Sequence, residues 1–521
     1  MNLISIRFAI FSAVLLVLYY RIPQKWQWVM LLAASFCFYL CAGTESLFFI
    51  LFTILTTYLC ARCIGRNQAR LNRFLSGHPA LTREDKRCRR DKTRRQNRLL
   101  LALCLTANFG LLFFCKACLI QPLHQALSDG RLSFLTLVLP LGISFFLFQS
   151  TGYVIDVYRG TVPAERNPAK YALFVCYFPQ LIQGPISRFS LLSEQLFRGH
   201  PFDGKEVSFG LQRMLWGYFK KLVVADRIAP AVAALRQSEY TGAAFGALTL
   251  FYAIQIYGDF TGGIDIALGL SQALGIRLPE NFCRPFFSKS TAEYWRRWHI
   301  TLGQWMKDDI FFPVSVSAGV RKLSRISRSH WNGFGKRLPV YAASIVTWLA
   351  TGIWHGLTPN FVLWGMLNCL VIVVSEELTP LYRRFHSRFA LKDKPWYGLF
   401  EIIRTFLLMN LIRACDLFPH VGDYWSRVCS LFTGFHLRVF WDGTLMGLGL
   451  TGLDYLILAG SAALMLAVSL IQEKTGSVRE LLWRWPAPVR RGLLFLLGLA
   501  VLLMGHYGIG YQASSFLYNQ F

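Results

Sequence analysis

Two tryptophan-histidine pairs carry the side chains in this sequence best suited to chemistry. One lies in Tyr294-Trp-Arg-Arg-Trp-His299-Ile-Thr-Leu-Gly-Gln-Trp305, the other in Thr351-Gly-Ile-Trp-His355-Gly-Leu-Thr-Pro-Asn360. An imidazole has an unperturbed pKa of about 6.5, and burial keeps it neutral, which suits a general base. Beside a hydroxyl or thiol it would activate that group toward an acyl carbonyl. His355 stands at the end of an apolar run, where a titratable group is costly and needs a reason. Gly352 and Gly356 flank its Trp-His pair and permit close approach of a substrate or a facing helix. The other histidines have ordinary surroundings. Six lie in polar or loop contexts, and His420 and His506 read as packing or interface groups near turns.

Carboxylates in apolar surroundings form the second candidate set. Asp156 sits in Tyr153-Val-Ile-Asp-Val-Tyr158, and Asp259 and Asp265 in Tyr257-Gly-Asp-Phe-Thr-Gly-Gly-Ile-Asp-Ile266. The 259/265 pair could serve a transporter as a cation or proton site. Structural pairing with an arginine such as Arg284 or Arg296 is the favoured reading. A Walker phosphate loop, an H-E-x-x-H metal pair and a G-x-S-x-G elbow are all missing from the sequence. No metal site and no bound cofactor are expected. Cys60-x-x-Cys63 and Cys115-x-x-Cys118 border apolar runs without the flanking His or Cys of a zinc site, and read as packing residues.

The elements that position these groups belong to a membrane. Of 521 residues, 54% are hydrophobic and only 16% charged, against about 25% charged in soluble domains. Charges gather between apolar runs, as in a polytopic membrane protein. The net charge of +27 would suggest nucleic acid in a soluble chain. Here it reads instead as cytoplasmic loops facing anionic lipid, with a phosphate-bearing substrate as a further possibility. Spanning candidates run over 3–20, 27–41, 44–60, 99–119, 133–157, 169–183, 207–224, 243–274, 338–357, 361–377, 396–413, 453–472 and 491–508. The first carries Arg7 and no cleavage site, so it is expected to be retained. Several are too short to cross and must be tilted, re-entrant or buried in the bundle. The expectation is an all-α protein of about ten to thirteen membrane elements, forming a single transmembrane domain over 1–521. Within it a basic cytoplasmic loop occupies 61–98, a core about 130–380, and C-terminal helices 396–521.

Thirteen Lys/Arg against three acids between Arg62 and Arg98 mark that loop as cytoplasmic. The acid-free stretch from Arg321 to Arg337 should be a second cytoplasmic loop. On a helical wheel of 294–309, Trp295, Trp298, Leu302, Trp305 and Met306 share one face with His299, while Arg297, Gln304 and Asp308 lie opposite. One amphipathic helix near the cytoplasmic interface is expected there, with its imidazole turned inward. His355 should lie deeper, where Thr358-Pro359-Asn360 breaks the chain.

These residues resemble the membrane-bound O-acyltransferase superfamily, and in particular its bacterial branch of alginate O-acetylation and teichoic-acid D-alanyl transfer proteins. The resemblance is carried by Leu139-Pro-Leu-Gly-Ile-Ser-Phe-Phe146, Asp156-Val-Tyr-Arg159, Phe178-Pro-Gln-Leu-Ile-Gln-Gly-Pro-Ile-Ser-Arg188 and Lys220-Lys-Leu-Val-Val-Ala-Asp226. It continues through Tyr257 to Asp265, Glu280-Asn-Phe282, both histidine motifs, Ile412-Arg-Ala414 with Trp425, and the aromatic end Phe516-Leu-Tyr-Asn-Gln-Phe521. After the first histidine motif the chain lacks the family's Gly-Gly-Asn-Arg end and reads Lys307-Asp-Asp-Ile-Phe-Phe-Pro-Val-Ser-Val-Ser317.

The resemblance implies a ring of transmembrane helices around a thin centre, with a tunnel joining the two faces. It implies that His355 is the principal catalytic residue and His299 the second, on the cytoplasmic side. Trp295, Trp298, Trp354, Asp259 and Asn281 are then expected to line the tunnel. Arg296, Arg297 and Lys307 are candidates for donor phosphates. The implied activity is acyl transfer in the plasma membrane of a bacterium. Acetyl would pass from a cytoplasmic thioester such as acetyl-CoA toward an exported polysaccharide, through an extracytoplasmic SGNH-hydrolase-like partner. The alternatives are D-alanyl transfer from a phosphopantetheine carrier protein, a transporter using Asp259 and Asp265, and a structural subunit of an export complex.

Overall fold

The computed structural model describes residues 3–41, 43–118, 140–181, 183–237, 240–330, 332–392, 394–507 and 516. Among these the fold is helical, as expected, and the single β-pairing is an isolated bridge between Phe282 and Trp298. The start of the expected 133–157 span, position 508 of the last span, and 517–521 of the aromatic end lie outside the described residues. The chain divides into two compact units, Met1–Leu211 with Ala267–Pro279, and Gln212–Ile266 with Glu280–Phe521.

The first unit contains α1 (Ile6–Arg21), α2 (Gln27–Leu40), α3 (Thr44–Gly77), α4 (Arg83–Cys118), α5 (Ile143–Arg159), α6 (Pro168–Cys176), α7 (Phe178–Leu181) and α8 (Phe189–Phe197). Caps fix several starts. The Ser5 hydroxyl accepts the Phe8 N–H, and Asn167 accepts those of Ala169 and Lys170 ahead of Pro168 at the first helical position. The expected 61–98 loop is instead helix. α3 and α4 run on past their apolar parts and leave only residues 78–82 to turn. Arginine and lysine are good helix formers and their stems tolerate a boundary, so charge alone does not end a helix. Some polar groups in the core of this unit are bonded to one another. Gln180 donates to Gln149 Oε1 at 2.8 Å, and the Tyr171 hydroxyl to Thr57 Oγ1 at 2.7 Å. The expected span over 169–183 corresponds to α6 and α7, helices of nine and four residues that are buried within the unit and too short to cross.

The boundary between the units falls within α9 (Gly204–Tyr218) and α11 (Ala243–Ala273). Between them lie a π-helical stretch, Phe219–Ala225, and α10 (Asp226–Leu235). The second unit continues with α12 (Thr291–Arg297), α13 (Ile300–Met306), α14 (Phe312–Ser315), α15 (Ala318–His330), α16 (Asn332–His355), α17 (Pro359–Glu377), α18 (Thr379–Arg388) and α19 (Pro395–Arg413). It ends with α20 (Val421–Thr433), α21 (Gly452–Thr475), α22 (Val478–Trp483) and α23 (Ala487–Met504). The second basic loop is also helix. Arg321, Lys322, Arg325 and Arg328 ride on α15, which folds back on α16 through a Ser324 hydroxyl bond to the Gly335 carbonyl at 2.8 Å. Among the described residues α3, α4, α17, α21 and α23 are long and apolar enough to cross a bilayer. The protein is a multi-pass membrane protein.

Candidate active site

His299 is positioned by a break rather than by a helix. The wheel over 294–309 expects one continuous element, but α12 stops at Arg297 and α13 starts at Ile300. The cause is the short pairing with the preceding loop. The Cys283 N–H donates to the Arg297 carbonyl, and the Ile300 N–H to that of Asn281, both at 2.9 Å. Those bonds require Trp298 to be extended and His299 to turn left-handed, with φ 49° and ψ 50°. A side chain held there stores about 1–2 kcal/mol, a cost that recurs at functional sites. Beyond the break the wheel holds: Leu302, Trp305 and Met306 are buried, and Gln304 bonds Asp308 on the outer face.

The same loop fixes the imidazole. His299 is buried, with Nδ1 3.2 Å from Asn281 Oδ1. That oxygen also accepts the Thr301 backbone N–H at 3.1 Å and the Thr301 hydroxyl at 2.9 Å. A backbone donor fixes which end of the amide is oxygen, so Nδ1 must carry the proton and Nε2 the lone pair. Burial, reinforced by the Arg413 guanidinium, lowers the His299 pKa to about 3. The ring is therefore neutral at physiological pH. Phe260 and Trp354 pack edge-on against it at 5.0 and 6.2 Å between centroids.

His355 is set by two helix ends. It is the last residue of α16, and α17 begins at Pro359, which occupies a first-turn position. The two helices touch at the backbone. A Cβ on Gly352 would stand 2.4 Å from the Phe361 carbonyl oxygen, and one on Gly356 2.2 Å from the Phe361 ring. Small residues are what membrane helices use for such contacts. The half-buried imidazole lies parallel to Phe361 at 6.3 Å and edge-on to Trp354 and Trp364, each at 4.7 Å.

Both imidazoles open onto one small cavity. It measures about 20 Å³ to the centre of a water-sized group, room for one water. Trp295, Trp298, Thr351 and Trp364 help to wall it, with Arg413 and Asp416 as its charged members, whereas the expected Trp354 and Asn281 are not among its walls. Neither charged residue stands out in the sequence as a site residue, although Arg413 lies within Ile412-Arg-Ala414. α19 delivers Arg413, whose guanidinium lies 4.0 Å above the Trp298 ring and donates to the Tyr294 hydroxyl at 2.6 Å. Tyr294 and Trp298 are themselves stacked at 5.7 Å.

Trp295 donates from Nε1 to Asn368 at 3.1 Å and lies edge-on to Trp348 and Trp364. Trp354 is buried between the two imidazoles. Asp259 is not a wall of this cavity. It pairs with the buried Lys221 at 2.6 Å, and Lys221 also holds Asp226 at 2.8 Å. Asp265 pairs with Lys220 at 2.6 Å and Arg213 at 2.8 Å, and Arg213 reaches Glu280. Pairing was the favoured reading, but its partners are these residues and not Arg284 or Arg296. Arg284 goes to Glu473 instead. The Asp265 group lies on the wall of a second cavity of about 750 Å³, which it shares with apolar side chains of α21 and α23 and with the polar Arg284, Gln472 and Arg479. Of the donor-phosphate candidates, Arg296 and Lys307 are exposed, and Arg297 is paired with Glu293 at 2.8 Å and Glu473 at 3.3 Å. Among the described residues no group of His, Cys, Asp and Glu could hold a metal.

Residues 163–327 and 333–415 match the membrane-bound O-acyltransferase family, a range that takes in both histidines and Arg413. A probable alginate O-acetylase AlgI from Pseudomonas syringae pv. tomato is 31% identical over 418 residues, 77% of this chain and 68% of that protein. The peptidoglycan O-acetyltransferase of Helicobacter pylori is 31% identical over 380 residues, 64% of this chain and 69% of its own length. With a probable alginate O-acetylase AlgI of Azotobacter vinelandii the identity is 37% over 246 residues, a match spanning about half of each chain, 46% of this one and 45% of the other. This chain belongs to the membrane-bound O-acyltransferase family.

Proposed function

We propose that this protein is an O-acyltransferase of a bacterial plasma membrane. It takes acetyl from a thioester donor, acetyl-CoA, on the cytoplasmic side and passes it toward a polysaccharide outside, through an SGNH-hydrolase-like partner. The observation that carries this reading is the cavity shared by His299 and His355, residues far apart in sequence, with Arg413 and Asp416 on its wall. A base, a cation and a confined space are what an acyl carbonyl needs when a hydroxyl attacks it. The alginate and peptidoglycan named in the relatives' titles support a polysaccharide acceptor.

In this reading His355 takes the proton of the attacking hydroxyl while its oxygen bonds the acyl carbon. The carbon–sulfur bond then breaks, and the thiolate recovers the proton from the imidazolium. His299, neutral and locked through Asn281, orients a hydroxyl or thiol with its Nε2 lone pair. The packed tryptophans keep water from the thioester. The test is to reconstitute the full chain with acetyl-labelled CoA, and to weigh the surface polysaccharide of cells lacking the gene. Label consumed and polysaccharide lighter by acetyl units support the proposal. Solute movement without label consumption would replace it with the transporter reading. Consumption only of a D-alanyl carrier thioester would replace the donor.

A further inference from the structure

Asp416 has no role in the scheme above, yet it faces the same cavity as both histidines. Its place is well fixed. At the end of α19 the chain tightens into a 3-10 turn, Ala414–Leu417. That turn is tied to the start of α17, just beyond His355. Asn360 Nδ2 donates to the Cys415 carbonyl at 3.2 Å, and the Cys415 thiol to the Asn360 carbonyl at 3.2 Å. Tyr424 of α20 braces it from behind, its hydroxyl on the Leu411 carbonyl at 3.1 Å.

The carboxyl itself makes no hydrogen bond and no ion pair with any described residue, and it is only half-buried. Arg413, the nearest cation, already donates to Tyr294 and lies over Trp298. A polar group left without a protein partner on a cavity wall is poised to bond whatever enters. Burial outweighs the attraction of Arg413 and pushes the Asp416 pKa up to about 7. The ionisable groups around it are Arg413, Tyr294, Cys415, Tyr424 and the two histidines.

We propose that Asp416 is a further catalytic residue, a carboxylic acid that donates a hydrogen bond to the acyl carbonyl oxygen as that oxygen gains charge. This rests on the acyl-transfer reading given above. The bonding balance of that reading is unchanged, since the hydroxyl proton still passes through His355 to the departing thiolate. Asp416 keeps its own proton throughout and lends it only as a hydrogen bond. Arg413 supplies positive charge beside it. A carboxyl in this role works while it is protonated, so the alkaline side of the rate profile belongs to it. A neutral amide in its place also donates, and cannot be switched off by base.

The experiment compares Asp416→Asn and Asp416→Ala with the intact full chain in liposomes, using acetyl-CoA as donor and measuring rate against pH, with thermal melts as a folding control. The proposal expects Asp416→Ala to lose about 10²–10³-fold, the usual effect of removing one such donor. Asp416→Asn should stay within about tenfold and lack the decline expected of the intact protein above a pH of about 7. If both variants fold and Asp416→Asn is as inactive as Asp416→Ala, the group acts as a carboxylate and the proposal is overturned. An intact alkaline decline in Asp416→Asn would overturn it equally. Should the unaltered protein consume neither acetyl-CoA nor a D-alanyl carrier thioester, it is the acyl-transfer reading that fails.

Discussion

The two histidines border one cavity and are held in opposite ways. His299 is fixed by backbone: a left-handed residue between two short helices, its ring bonded to an asparagine that two groups of Thr301 also grip. His355 is fixed by packing: a helix end pressed against the next helix through glycines, with its ring half-open among aromatic edges. Rigidity at the first and access at the second suggest a division of labour. The first histidine should couple mainly to fold stability and orientation, the second mainly to the chemical step. Substitutions can separate the two.

The largest effect is expected at His355. His355→Ala should cut acetyl transfer by about 10²–10⁴-fold, the range for a general base, with the melting temperature and membrane insertion nearly unchanged. Full polysaccharide acetylation in cells carrying that variant would break the contrast outright. The next effect concerns pH. Because the folded His299 pKa is depressed to about 3, its contribution is complete above the unfolded value of about 6.5 and is lost as pH falls toward 3. Asp416, whose pKa is raised, titrates in the opposite sense, so the comparison must be between proteins that both retain it. His299→Gln should therefore lose less melting temperature than the parent between pH 6.5 and 4, by an amount worth a few kcal/mol at most. An identical acid response in both proteins would mean that His299 is not held neutral by the fold.

Asn281→Ala should cost about 1–3 kcal/mol, because a buried backbone N–H and a hydroxyl lose their acceptor. Activity should fall with it, since the His299 tautomer is no longer set. The readout is a thermal melt alongside the acetyl-transfer rate. Smallest is Gly352→Ala, where a methyl must displace the Phe361 backbone. Overpacking of this kind costs about 1–3 kcal/mol, since the methyl meets backbone atoms rather than the end of a flexible side chain. A measurable drop in rate with only a small shift in melting temperature would show that His355 depends on this helix contact for its aim.

Much of this was legible in the chain. Apolar runs of the right length located α1, α2, α11, α16, α17, α19, α21 and α23 to within a few residues, except where basic segments extend them, because hydrophobic length is a local property. The end of α16 could be read from Thr358-Pro359, since proline cannot continue a helix but can start one. Other features were hidden. The wheel over 294–309 missed the break at His299, because its cause is a pairing with Asn281 and Cys283, whose approach no local periodicity encodes. Charge clustering at 61–98 and 321–337 suggested loops, although arginine-rich helix was equally compatible with it.

The residues by themselves determined that this is a helical membrane protein with two unusual histidines, since composition, hydrophobic run length and motif spacing are all written along the chain. Only the tertiary structure decided that Asp259 and Asp265 answer to Lys221, Lys220 and Arg213, and that Arg413 and Asp416 join the histidines at one cavity. Those juxtapositions depend on how helices cross and on which buried charges find partners. Both are settled by packing between segments distant in sequence, where periodicity carries no information.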